Sequence, residues 1–374
     1  MNFSNSSIRK AMPAPNQRVM PFNSERVSDV YDQVKLESEA PLAFVTPPSE
    51  QATIGVIDTF RASACEPPLH GDQVHAVVLN QGFTEDDTVR LSSSIDGKTM
   101  AALNSLLYRD GQESFSERLD AYIELTAGQT LSKTNGILRQ LDEQENPRLK
   151  TLNQSQGESR LGIYMLLLGA AWNGRKDGRP LITETGKKMA EAVGHQPEAA
   201  NFSPWEFHQS LIERVNTVVD GSEYIAGLQQ DHKALLDRLS LKGVTVVSSA
   251  GNDNDEYLET RNVFGHRIPE NFDDDITSVG NKIVVGALDD KGTPDPSDDD
   301  IAYFSSRYAA VSVLAEGIDV ETLEGRRATG SSFAAPQVAA ELEKLRRAKP
   351  QTPVEQLRAE ATSHFRATDG YNIL

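Results

Sequence analysis

Near its C-terminal end the chain reads Thr329-Gly330-Ser331-Ser332-Phe333-Ala334-Ala335-Pro336. A glycine and two serines lead into small residues, and Val338, Ala339, Ala340, Leu342 and Leu345 continue with apolar residues at helical spacing. Proline is tolerated in the first turn of a helix, where N–H groups have no intrahelical partner, so Pro336 is expected in that turn. Ser332 then stands at the N-terminus of a buried helix, where backbone N–H groups and the helix dipole favour developing negative charge. The nucleophile of an acyl-transfer enzyme belongs in such a place. A serine that merely caps the helix fits the same eight residues and, taken alone, is the commoner case. The rest of the chain has to decide between them.

With 374 residues, the chain can bury a substantial core as one large or two moderate domains. A hydrophobic content of 38% with 25% charged residues suits a soluble globular protein carrying polar loops. The net charge of −18 disfavours nucleic acid as the main partner, because phosphates would be repelled. The longest apolar run, Leu161 to Trp172, is too short for a membrane span. No basic stretch followed by an apolar one opens the chain, so a cytoplasmic location or export by a non-Sec route is expected. Cys65 is the sole cysteine, which excludes an internal disulfide framework and suits a reducing compartment.

Residues 1–48 read as a mostly disordered N-terminal arm with a short helix near Val27–Val34, and residues 49–374 as the folded domain. The run Ala52-Thr53-Ile54-Gly55-Val56-Ile57-Asp58-Thr59 suits a buried parallel strand with Asp58 at its carboxyl end. Active sites of open α/β sheets collect beyond such ends, although an Asp there also suits a turn cap. Leu69 to Val78 reads as a helix with His70 at its start and His75 as a packing residue. Thr88–Ser92 is a second strand, and Gly97–Asn146 is helical up to Pro147. A strand over Arg148–Asn153 runs into Gln154-Ser155-Gln156-Gly157. Residues 158–225 hold helices near 186–193 and 206–219, and a helix near Leu228–Leu241 precedes a central strand from Gly243 that ends in Ser249-Ala250-Gly251-Asn252. Lys282–Ala287 is a further strand. The loop Asp289–Asp300 carries six aspartates, yet lacks the ligand spacing and closing Glu of an EF-hand, so it reads as a solvated acidic loop. Asp273–Asp275 read the same way.

With these segments placed, the chain resembles the subtilisin-like serine proteases, the subtilases. Ile54–Thr59 resembles the strand bearing that family's catalytic Asp, His70-Gly71 with Val74 its catalytic-His helix, and Ser249-Ala250-Gly251-Asn252 the strand end whose Asn enters the oxyanion hole. Gly330 to Pro336 resembles the nucleophile motif. Weaker matches are Val285-Gly286-Ala287, Phe304-Ser305-Ser306 and Gly370-Tyr371-Asn372-Ile373. The likeness covers roughly residues 51–157 and 226–374, which leaves about 158–225 as an insertion of helical character. Order matters here: Asp, His and Ser succeed one another as in subtilisin, whereas unrelated hydrolases use other orders. The chain departs from the family in its short Asp58-to-His70 spacing and in Asp72-Gln73, where Thr-His is usual.

The resemblance implies an α/β, three-layer subtilisin-like fold with a mainly parallel central sheet. It implies a serine endopeptidase acting on a protein or peptide, with Asp58, His70, Ser332 and Asn252 as catalytic residues. It also implies that Ser155, Gln156, Gly157, Ser249, Ala250 and Gly251 form edges that pair with an extended substrate. No cofactor is needed for that chemistry, and a structural calcium finds no supporting ligand motif in this sequence. Two other readings keep the same fold: a peptide-binding protein whose chemistry has lapsed, and an acyl transferase or cyclase in which an amine replaces water.

Overall fold

The computed structural model of the protein describes residues 26–38, 49–61, 66–176, 179–265, 268–293, 295 and 297–367. Cys65 and the closing stretch Gly370–Ile373 lie outside the described residues. In chain order the elements begin with α1 (Val27–Ser38), β1 (Ile54–Asp58), α2 (His70–Asn80), β2 (Thr88–Ser92), α3 (Gly97–Tyr108), α4 (Phe115–Asp142) and β3 (Thr151–Gln154). They continue through α5 (Arg160–Ala171), the hairpin β4 (Trp172–Lys176) and β5 (Arg179–Ile182), α6 (Glu184–Ala192), α7 (Pro204–Gly221), α8 (Glu223–Leu241), β6 (Thr245–Ser249) and α9 (Asn254–Phe264). The last part holds β7 (Ile283–Asp289), β8 (Asp300–Ile301), β9 (Val311–Glu316), β10 (Val320–Glu321), β11 (Arg327–Ala328), α10 (Ser331–Ala348), α11 (Val354–Ser363) and β12 (Arg366–Ala367).

The main sheet runs β12-β9-β7-β6-β3-β1-β2, parallel except where β12 joins β9 and where β8 pairs with β7. Every residue of β1 is buried, as expected of a strand covered on both faces. Its alternation sorts the core. Ile57 joins Leu91, Leu152 and Val246 beneath Leu138 of α4 and Leu235 of α8. Ile54 and Val56 face Val74 and Val77 of α2. On that second face α10 lays Ala334, Ala335, Val338 and Leu342 against Val247, Val285 and Val313. Helix, sheet and helix thus form three layers.

The chain leaves β1 toward β2 at one edge and returns to place β3 on the other side of β1, so the strand order reverses there. In-register pairing keeps the carboxyl ends level, with Ile57 opposite Gln154 and Gln154 opposite Ser248. The crevice at such a reversal is where open α/β sheets bind ligands.

A second apolar body lies beside the sheet. Tyr164, Phe207, Leu211 and Phe272 are buried in it together with Val30 and Val34 of α1. The helix expected near Val27–Val34 therefore runs to Ser38 and is docked in a core, with Gln33 bonded to Thr99 and Lys133 paired with Glu37. For these residues the reading as part of an arm is corrected, because Val30 and Val34 share one helix face that needs burial. The long helical stretch expected from Gly97 is two helices. Ser114 and Glu117 form a reciprocal capping box that starts α4 afresh.

Candidate active site

Asp58, at the end of β1, is fully buried. Its Oδ1 accepts the Thr59 N–H at 2.6 Å, and its two oxygens stand 3.0 and 2.8 Å from Nδ1 of His70. His70 opens α2, and its Nε2 lies 2.8 Å from Oγ of Ser332. Phe333 packs its ring against the imidazole. Gly71 permits this approach: a Cβ there would stand 2.6 Å from the Thr59 carbonyl oxygen and 2.8 Å from Cβ of Asp58. Asp72 departs from the family pattern for a visible reason. Its carboxylate accepts the N–H groups of Leu69 and Arg61, tying the shortened loop to the first turn of α2. Sequence reading gave it no role, although Asp in a first helical turn is a capping signal.

Ser331 and Ser332 have different occupations. The Ser331 hydroxyl donates to the Gly251 carbonyl at 2.9 Å and accepts the Gly251 N–H at 3.1 Å. Ser332 is the second residue of α10 and faces His70. Pro336 is the sixth helical residue, inside the helix and not in its first turn as expected. It has no N–H to offer the Ser332 carbonyl four residues back. The Ser155 hydroxyl supplies that bond at 3.0 Å while accepting from Asn153. Ser155 was expected as part of a substrate edge, and its side chain serves helix α10 at Ser332.

The Oδ1 of Asn252 accepts the Ser331 N–H at 2.8 Å, which fixes the amide and leaves Nδ2 near Gly330. A Cβ on Gly330 would lie 3.2 Å from Ser332 Oγ and 3.3 Å from Asn252 Nδ2, so this glycine keeps open the space between them. Ser306 steadies the turn, donating its N–H to Gly251 and accepting from Asp253. On the edge 249–251, the Ala250 N–H bonds Val285 and both polar groups of Gly251 are engaged internally. Gln156 of the opposite edge accepts from the Ser93 hydroxyl, and Gly157 is exposed.

His70, Ser332, Asn252 and the edges 155–157 and 249–251 line one cleft of about 800 Å³. Its lining also includes Glu158, Asp253, Asp273 and Asp275. The expectation of a solvated acidic loop at Asp273–Asp275 is corrected: Asp273 is 4% and Asp275 9% exposed. Asp275 accepts from the Glu158 and Thr277 backbones and from the Thr277 and Ser278 hydroxyls. Asp253 accepts from the Ser159 hydroxyl at 2.6 Å. Burial first, then the charges of Asp253 and Asp275, push the Glu158 carboxyl up to about 8. Burial likewise raises Asp253 to about 6 and, reinforced by Asp274 and Asp253, Asp273 to about 7.

His75, expected as a packing residue, is buried with Nε2 2.7 Å from the Thr88 hydroxyl, and burial lowers it to about 3. In the loop after β7, Asp289 pairs with Lys291 and Asp298 accepts from Thr293. Among the described residues no group of three or more His, Cys, Asp or Glu is arranged to hold a metal ion, and no helix is long and apolar enough to cross a membrane.

No curated protein matches the chain. Among solved structures, a lanthipeptide protease is 13% identical, covering 89% of this chain and 82% of its own, with a TM-score of 0.37. Sphericase is 14% identical at 88% coverage of both chains and a TM-score of 0.34. A cold-adapted subtilisin-like serine proteinase is 13% identical, with 82% and 80% coverage and a TM-score of 0.34. The family model of the subtilase family matches residues 167–369, a span that includes Asn252 and Ser332. That match exceeds half of the 374 residues, and the chain belongs to the subtilase family, the subtilisin-like serine peptidases.

Proposed function

We propose that the protein is an endopeptidase that hydrolyses internal bonds of a protein or peptide through Asp58, His70 and Ser332. The observation that carries this reading is the position of His70, within 2.8 Å of both the buried Asp58 and the Ser332 hydroxyl. A carboxylate only accepts, so the proton of the neutral ring sits on Nδ1 and Nε2 is free to take the Ser332 proton. Ser332 Oγ attacks the substrate carbonyl as that proton moves, and Asp58 stabilises the imidazolium. The oxyanion meets the Asn252 amide and the Ser332 N–H, whose helix end favours negative charge. The imidazolium protonates the departing amine. Water then repeats the sequence on the acyl-enzyme and frees Ser332.

In this reading the peptidase domain comprises 49–374 together with α1, and the segment 158–225 is an insertion whose first residues shape the cleft. The chemistry calls on no cofactor. A fluorophosphonate probe should label Ser332 in the wild type and leave Ser332→Ala unlabelled, with His70→Ala labelled slowly if at all. Mass analysis of peptide products should show addition of water. A folded wild type that resists the probe refutes the assignment, and transfer to an added amine in place of water would make the protein a transferase.

A further inference from the structure

The inner part of the cleft carries a charge pattern that the chemistry of Ser332 does not use. Four carboxylates, Glu158, Asp253, Asp273 and Asp275, line the same cleft as Ser332 and Asn252, and no lysine or arginine is among its described lining residues. The chain folds so as to gather them. Glu158 follows the edge 155–157, and Asp253 follows Asn252. The segment 272–276 returns to bond residues 158–161, with Leu161 donating to Phe272 and Ile276 to Glu158. Gly157 lies directly on Asp275, since a Cβ there would be 2.6 Å from the carboxylate.

Not all four carboxylates are occupied by the fold. Asp275 has four donors and Asp253 has Ser159. Asp273 is 96% buried, and among the described residues its carboxylate meets only its own backbone N–H. Arg307 lends it some opposing charge, outweighed by Asp274 and Asp253. A buried charge without a partner is costly. Burial first, then the neighbouring carboxylates, raises the proton affinity of both Asp273 and Glu158, and no described cation cancels it. A cation entering the cleft would supply what is missing. The described carboxylates are not disposed to hold a metal ion, and a cation at the end of a long side chain fits a cleft that begins at the nucleophile.

Resting on the endopeptidase reading, we infer that this cleft receives a lysine or arginine side chain from the residue whose carbonyl Ser332 attacks, with Asp273 and Glu158 as its ion-pairing partners. Asp253 and Asp275, held by their own hydrogen bonds, keep the field negative around them.

Matched fluorogenic peptides that differ only at this residue (Arg, Lys, Met or Glu) test the inference. The wild type should favour Arg and Lys over Met by about tenfold or more in kcat/KM, with Glu slowest. Asp273→Asn and, separately, Glu158→Gln should each shrink the Arg-to-Met ratio about fivefold or more. Because a ratio is read, a loss of overall activity does not imitate the effect, and the second variant serves where the first fails to fold. Equal or better cleavage after Met or Glu by an enzyme that labels with fluorophosphonate overturns the inference while leaving the peptidase reading intact. A wild type that does not label overturns the peptidase reading instead. A binding measurement on Ser332→Ala then still decides the pocket. Benzamidine should bind at least about tenfold tighter than neutral benzamide, with the difference lost in Asp273→Asn. Equal binding of the two, or displacement of benzamidine by Ca²⁺ at the same carboxylates, refutes a side-chain pocket.

Discussion

Gly71→Ala places one methyl group against the end of β1. The new Cβ would stand 2.6 Å from the Thr59 carbonyl oxygen, 2.8 Å from Asp58 Cβ and 2.9 Å from a Phe60 ring carbon. Ordinary contact begins near 3.4 Å, so the start of α2 must recede by about 0.8 Å. Two of the three obstacles are fixed by the strand, because the Thr59 carbonyl already accepts the Gly71 N–H at 2.9 Å and Asp58 is fully buried. The imidazole has to yield. A retreat of that size lengthens the 2.8 Å contact from His70 to Asp58 beyond hydrogen-bonding range. Misplacement of a catalytic group by about 1 Å costs on the order of 10² in rate. Overpacking adds a destabilisation of about 1–3 kcal/mol. Gly71→Ala should therefore lower kcat/KM by about 10²-fold while lowering the melting temperature by only several degrees. Steady-state kinetics on a fluorogenic peptide beside a thermal melt separate the two effects. Wild-type turnover in a protein that melts like the wild type would show that the geometry around His70 does not set the rate.

On the proposed mechanism Asn252→Ala removes one oxyanion donor and should reduce kcat by about 10²–10³, while the buried Ser331 N–H that it leaves without an acceptor should cost about 1–3 kcal/mol; an unchanged kcat excludes that role. Ser155→Ala leaves the Ser332 carbonyl without a donor, because Pro336 has none to give, and should cost about 1–3 kcal/mol in a denaturant titration. Stability should also fall as pH rises from about 6.5 to about 8. Glu158 and Asp273, raised to about 8 and about 7, bind protons more tightly folded than unfolded, so their contribution is lost as pH rises through those values. His75, His208 and His232, lowered to about 3, 4 and 3, act on the acid side: their contribution is complete above about 6.5 and lost as pH falls. Lys282, lowered to about 8, opposes the decline only above that pH. The melting temperature should thus drop between about pH 6.5 and 8, less so in Glu158→Gln, and a flat or rising curve there contradicts the burial of these acids.

Much of the frame can be read without coordinates because strands and helices follow local patterns. Thr88–Ser92 is recognisable as a strand to the residue, and the helix beginning at His70 is announced by the spacing of Val74, Val77 and Val78. Boundaries slip where a cap intervenes, as at Ser114. Pro336 misleads because a proline that looks like a first-turn residue is accommodated one turn later, once a serine 181 positions earlier takes over the lost hydrogen bond.

The order of Asp58, His70, Asn252 and Ser332 along the chain, and the parallel sheet that carries them, are determined by the sequence, since each depends on neighbours within a few residues. Tertiary structure decides the rest. It commits the Ser331 hydroxyl to Gly251, turns the Asn252 amide by way of the Ser331 N–H, and docks Val30 and Val34 of α1 into a core. It also carries Asp273 from what reads as a hydrated run of acids into the cleft that His70 and Ser332 line. Composition cannot reveal that last step. Whether a carboxylate is solvated or buried depends on segments more than a hundred residues away that fold over it, and its charge state and its appetite for a cation follow from that burial.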